Sequence, residues 1–151
     1  MKSAPVFFQV KRDSHLPTTN VPITFELAWM NVGLGMNLTS GIFTAPRAGT
    51  YFFSFSGNAA FPKSSVLSEL FIDLYLNNVG NLVAATHTEG INTISANDYD
   101  TAFSLQSTVL LNKNDKIWLQ IRYMSPGVYL SNHFTYFTGW LMQEDLSKLV
   151  L

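Results

Sequence analysis

The feature that most constrains this chain is a two-residue alternation of apolar and polar side chains. In "ELFIDLYLN", Leu70, Ile72, Leu74 and Leu76 fall on one face, and Glu69, Phe71, Asp73 and Tyr75 on the other. A period of two suits an extended strand with one face against a core, and a helix of period 3.6 scatters it. "KIWLQIRYM" repeats the pattern, with Ile117, Leu119, Ile121 and Tyr123 set against Trp118, Gln120, Arg122 and Met124. "TYFFSFSG" sets Tyr51, Phe53 and Phe55 against Phe52, Ser54 and Ser56, and "AFSLQSTVLL" and "HFTYFTGWLM" read as further strands. Turn residues separate them at "NNVGN" (77–81), "NKND" (112–115) and "SPG" (125–127). The closing "EDLSKLVL" reads as one helical turn or a frayed tail. The pattern predicts a single all-β domain, a sandwich or barrel, over residues 5–143 between tails at 1–4 and 144–151.

"GIFTAPRAGTYFFSF" adds a corner. Gly41 and Gly49 permit positive φ or close backbone approach, and Pro46 presets a turn. The aromatics after Gly49 fill both faces of one strand, so that strand is expected to be covered on each side. The second sheet covers one face, and a neighbouring subunit is the expected cover for the other.

Composition supports that expectation. Apolar residues make up 47% of the 151 and charged residues only 13%, well under the usual quarter. A surface so poor in charge is expected to lose part of its apolar area to partner subunits. The net charge of −1, with Lys and Arg scattered, offers no footprint for nucleic acid or an anionic membrane. Without cysteine there is no disulfide framework and no thiolate chemistry. No signal-peptide pattern is visible in "MKSAPVFFQV", and no apolar run is long enough to span a bilayer as a helix.

Catalysis needs converging polar groups. His15, His87 and His133 are far apart in sequence, and no nucleophile-elbow, zinc-helix or phosphate-loop motif is present, so no enzyme is expected. "NDYD" is the one acidic loop cluster: Asn97, Asp98 and Asp100 supply the oxygen ligands that calcium prefers. Three ligands fall short of the 6–8 oxygens calcium takes, so the competing reading is a self-bonded turn. No cofactor is required, and calcium is the one metal the chain offers ligands for. Asn37 opens an "NLT" glycosylation sequon, and Arg47 and Lys63 are candidate ligand-contacting cations set against a plain reading as solvated loop charges.

Phe25, Asn31, Phe43, Gly49, Tyr51, Phe53 and Phe55 stand at the spacing F-x5-N-x11-F-x5-G-x-Y-x-F-x-F. That spacing resembles the signature of the globular C1q domain. "SLQSTVLLNKNDKIWLQI" and "FTYFTGWLM" resemble the family's later blocks, so the likeness runs from about Phe7 to Met142. Met36 stands where the family pattern has an aromatic or Leu, and Asn114 where it has Gly before Asp115; both substitutions are compatible with the fold. No collagen repeat precedes the domain, and a head-only protein is expected.

The resemblance implies a jelly-roll β-sandwich of about ten antiparallel strands, shared with the tumour necrosis factor fold and assembled as a homotrimer. The strands matching the family's trimer sheet make Tyr51, Phe53, Phe55, Phe103, Leu105, Phe134, Tyr136 and Trp140 interface candidates. Alternation alone leaves open which of them face the axis and which the core. Some relatives hold calcium beside a similar "YD" segment near the trimer apex, where three loops meeting would complete the shell. The function implied is a secreted module, lectin-like and of innate-immune type, binding microbial or glycan ligands multivalently. A cytokine-like or adhesive ligand for a cell-surface receptor is the alternative.

Overall fold

The computed structural model describes residues 4–14, 18–94, 98–131 and 134–148, which form two antiparallel sheets packed as a jelly-roll sandwich. In chain order the strands are β1 (Phe7–Arg12), β2 (Leu27–Val32), β3 (Met36–Asn37), β4 (Ile42–Thr44), β5 (Gly49–Phe61), β6 (Ser64–Leu76), β7 (Asn78–Asn92), β8 (Tyr99–Leu111), β9 (Lys116–Met124), β10 (Tyr129–Leu130) and β11 (Thr135–Glu144). β5 is the axis of the first sheet. β8 pairs along its whole length from Gly49↔Leu111 to Phe61↔Tyr99, while β11 and then the short β10 share its other edge. β1 and β2 continue outward from β11. The second sheet runs β3-β4-β9-β6-β7.

Alternation decides which side chains meet between the sheets. Tyr51, Phe53 and Phe55 of β5 are at most 1% exposed, and Leu70, Ile72 and Leu74 of β6 face them with Ile117, Leu119 and Ile121 of β9. Phe43 stands at the centre, its ring 5.1 Å from Phe8, 5.6 Å from Tyr51 and 5.6 Å from Phe53. Each fully buried ring of this size contributes about 1.5–3 kcal/mol, so this cluster is the main source of stability. The aromatic crowding after Gly49 is therefore the inner face of a central strand.

The corner before β5 is built as its residues imply. Gly41 has φ +73, and a Cβ there would sit 1.9 Å from the carbonyl oxygen of Ile23. Gly49 is needed for space: a Cβ would come within 2.4 Å of the Gln143 oxygen across the ladder. Asn114, standing in place of the family glycine, adopts φ 74.

Three details depart from the alternation. Between β6 and β9 the register shifts at Phe71 and Ile72, so Ile121 opposes Ile72 but Tyr123 opposes Phe71. This bulge turns Tyr123 out to 49% exposure and brings Met124 against the core, the reverse of a simple period of two. The turn expected over 77–81 is confined to Asn77, which takes φ 67, and Asn78 already pairs with Leu76. Residues 78–81 belong instead to β7, the longest strand. It escapes the pattern because it is an edge, mostly exposed, with "NVGN" and "THTEG" in place of regular apolar positions. At the C-terminus β11 extends through Glu144, and Leu146–Lys148 form one 3-10 turn.

Candidate functional site

The structure sorts the eight interface candidates. Tyr51, Phe53 and Phe55 are consumed by the core, and Phe103 and Leu105 lie beneath them at 9% and 6% exposure. They have almost no surface left to offer a partner, because odd-numbered positions of β5 and β8 point between the sheets. Trp140, Tyr136 and Phe134 do not share that fate: Trp140 is 36% and Phe134 52% exposed, and Tyr136 is half-buried on the outer face.

Around Trp140 the outer face of the first sheet carries aromatics that the interface reading missed. The Trp140 ring lies 4.6 Å from Phe52 and 6.3 Å from Phe7, and Tyr136 lies 6.0 Å from Trp29. Trp29 is 56% exposed and Leu110, beside Thr50 on β8, 71%. The signal was present in the even register of "TYFFSFSG", where Phe52 stands opposite the core row, but Phe7 and Trp29 lie on β1 and β2, which reach this face only through the non-local pairing of β1 with β11. Trp29, Leu110 and Trp140 thus leave apolar surface exposed on one face of the sheet.

Arg47 and Lys63 are not brought together. They sit just before and just after β5, so the 13 residues of that strand, at roughly 3.3 Å each, hold them at opposite ends of the sandwich. Lys63 is an exposed loop residue. Arg47 is held in a corner by its backbone: its carbonyl accepts the Tyr51 hydroxyl at 2.6 Å, and burial pushes that phenol's pKa up. The Arg47 Nε lies 3.3 Å from Oε1 of Glu144, whose side chain is only 8% exposed. Their ion pair is not aligned as a hydrogen bond, and Nε and Nη2 have no hydrogen-bond partner. A cleft of about 340 Å³ opens here, lined by Arg47, Ala48, Asn112, Lys113, Glu144 and Asp145 among others.

Of the proposed calcium ligands, Asn97 lies outside the described residues. Asp98 accepts a hydrogen bond from the Tyr129 hydroxyl, and Asp100 Oδ1 accepts one from Ser131 Oγ at 3.3 Å. The two carboxylates thus fasten the start of β8 to the β10 segment, and the bond to Asp98 together with burial pushes the Tyr129 pKa up to about 12. No group of three metal-ligating His, Cys, Asp or Glu side chains occurs among the described residues. Those two carboxylates by themselves fall short of the 6–8 oxygens that calcium takes.

Asn37 is exposed at the edge strand β3, and its side-chain oxygen accepts the Ser40 N–H at 3.1 Å. His15 and His133 lie outside the described residues, and His87 stacks on Phe71 with ring centroids 4.9 Å apart. On the outer face of the second sheet Asp73 is 1% exposed. Its Oδ2 accepts the Tyr75 hydroxyl at 2.7 Å and the Arg122 Nε at 2.9 Å, while Oδ1 has no partner. Among the described residues no helix is long and apolar enough to cross a membrane.

Comparison with known proteins agrees on one family. A family model for the C1q domain matches residues 7–142. The chain is 28% identical over 144 residues to mouse complement C1q tumor necrosis factor-related protein 3, covering 92% of this chain and 52% of that protein. It is 30% identical over 129 residues to zebrafish caprin-2, covering 85% of this chain but 13% of the relative. The chain thus spans about half of the first relative's length and far less of the second's. The globular domain of zebrafish complement 1qA superposes with a TM-score of 0.65 over 93% of this chain and 99% of its own, at 18% identity.

Proposed function

Because the chain belongs to the C1q-domain family, we propose that it is a secreted homotrimer that binds microbial or glycan ligands multivalently, as a lectin-like recognition protein of innate-immune type. The family membership establishes a C1q-family ligand-binding module. The observation that carries the trimer is the outer face of the first sheet, where Trp29 and Trp140 remain 56% and 36% exposed in the single chain. Three identical sites on one rigid body raise avidity by roughly 10²–10⁴ without any stronger contact. Asp98 and Asp100 enter as loop fasteners, and calcium enters only if loops of several subunits share it.

Light scattering in calcium and then in chelator, followed by retention on immobilised polysaccharide, tests the reading. A mass near three times 16.9 kDa with retention supports it, and a monomer in both buffers refutes it. The relatives named for tumor necrosis factor favour a second reading, a ligand for a cell-surface protein receptor. A trimer that ignores polysaccharide but is captured by solubilised cell membranes selects that one.

A further inference from the structure

We propose that Asn37 is the acceptor for an N-linked oligosaccharide, carried on the face of the sandwich opposite the aromatic sheet face. "NLT" at 37–39 is the chain's one N-x-S/T sequon. A three-residue pattern arises easily by chance, so the local structure has to carry the inference. Alternation decides which of its side chains the fold uses. Met36 is 4% exposed and Leu38 packs against the core, whereas Asn37 and Thr39, on either side of Leu38, are exposed. Leu38 is thus the anchor, and the two residues that the modification needs are both open to solvent.

Their reactive groups are unspent. Asn37 uses its side-chain oxygen, which accepts the Ser40 N–H at 3.1 Å, and its amide Nδ2 makes no hydrogen bond among the described residues. The Thr39 hydroxyl makes none either. Substituting Nδ2 therefore breaks no contact of the fold. The turn is held by backbone instead, Gly41 N–H donating to Asn37 O at 2.8 Å and Phe25 N–H to Leu38 O at 3.1 Å. Asn37 also borders an open cleft of about 490 Å³ with Leu34, Thr44 and Pro46, so a bulky substituent has room.

Position follows from the strand. β3 is an edge of the second sheet, and Asn37 points away from the core that its neighbour Met36 enters. Trp29 and Trp140 face outward from the first sheet, so a glycan on Asn37 leaves their face free for assembly. The donor is a lipid-linked oligosaccharide diphosphate, met with its transferase in the secretory pathway, and the inference therefore rests on the reading of the chain as secreted. Asn37 Nδ2 bonds to the anomeric carbon of the first sugar as the bond from that carbon to the diphosphate oxygen breaks. The lipid diphosphate leaves with the electron pair, and one Nδ2 proton passes to solvent.

The test expresses the full chain behind a cleavable signal sequence in animal cells and collects it from the medium. The chain is expected to run heavier than 16.9 kDa and to return to that mass with peptide-N-glycosidase. The enzyme converts a substituted asparagine to aspartate, so the peptide mass marks position 37. Thr39→Ala and Asn37→Gln are each expected to remove the added mass entirely, and Thr39→Ser to keep it. The Thr39 hydroxyl holds nothing in the fold, so Thr39→Ala is expected to be secreted as well as the parent. A secreted chain at the unmodified mass overturns the inference, and so does added mass that persists in Thr39→Ala. A glycosylated chain that assembles only once the sugar is removed overturns the placement opposite the aromatic face. A bare Asn37 on a trimer that binds polysaccharide refutes the glycan and keeps the ligand-binding reading, and a glycosylated chain that stays monomeric with and without its sugar does the reverse.

Discussion

Replacing Trp140 by serine separates an interface role from a core role. Trp140 is 36% exposed in the single chain, and a tryptophan carries up to about 250 Å², so about 90 Å² remains for a partner to cover. At about 25 cal/mol per Å² that is about 2 kcal/mol per subunit, or about 7 kcal/mol for a trimer. Such a loss is nearly five decades in the monomer–trimer dissociation constant. The concentration at half dissociation varies as the square root of that constant, so it rises about 300-fold. Sedimentation velocity over a dilution series measures this directly. Phe53→Ala, at a site 1% exposed, is expected instead to remove about 3–5 kcal/mol from the fold itself and to lower the melting temperature at every concentration. Val66→Ser, 66% exposed on β6 of the other sheet, should leave the mass unchanged. A Trp140→Ser chain that keeps the parent's mass throughout the series refutes the assignment, and so does a Val66→Ser chain that dissociates with it.

Gly41→Ala is expected to cost on the order of 3 kcal/mol or more, because it combines a left-handed backbone with a Cβ set against the Ile23 carbonyl; chemical denaturation measures it. Tyr75 and Tyr129 are both pushed up to about 12, Tyr75 chiefly by burial and then by Asp73, and Tyr129 chiefly by its bond to Asp98. Their folded pKa values lie above the unfolded value near 10, so the stability they add is complete below about pH 10 and falls as pH rises towards about 12. Phenolate absorbance should show Tyr51, Tyr75 and Tyr129 titrating late, with one late group lost in Tyr129→Phe. Asp98→Ala with Asp100→Ala should lower the melting temperature equally in calcium and in chelator, since both carboxylates serve hydroxyls of the β10 segment. A calcium-dependent stabilisation that the double variant abolishes would show that the loop is a metal site after all.

The inward rows were legible because burial imposes alternation. Leu70, Ile72 and Leu74 pack as their spacing required, and Asn114 adopts the left-handed turn that its position demands. Legibility failed where geometry departed from a period of two, or where an element lacked a core face. The bulge at Arg122 reversed Tyr123 and Met124 through one extra residue, which hydrophobicity does not encode. β7 is an edge whose exposed positions escape the pattern. The outer aromatic face needed pairings between residues more than a hundred positions apart, such as Phe7 with Trp140.

The signature that marks the family has the same bias. Phe25 packs its ring 5.9 Å from Phe137, and Phe43, Tyr51, Phe53 and Phe55 fill the core. Asn31 closes a backbone gap, donating to Met36 O at 2.8 Å and accepting from Met36 N at 3.2 Å, and Gly49 admits the Gln143 oxygen. Every signature position thus does a folding task, so matching it identifies the architecture and leaves the ligand unspecified. Residues able to choose a ligand are those the signature leaves unconstrained, and the loops at strand ends are such places. Arg47, Lys113 and Glu144 are far apart in sequence and meet only because β5, β8 and β11 lie side by side and end together. Loop chemistry at that end is therefore set apart from the core positions that the signature describes.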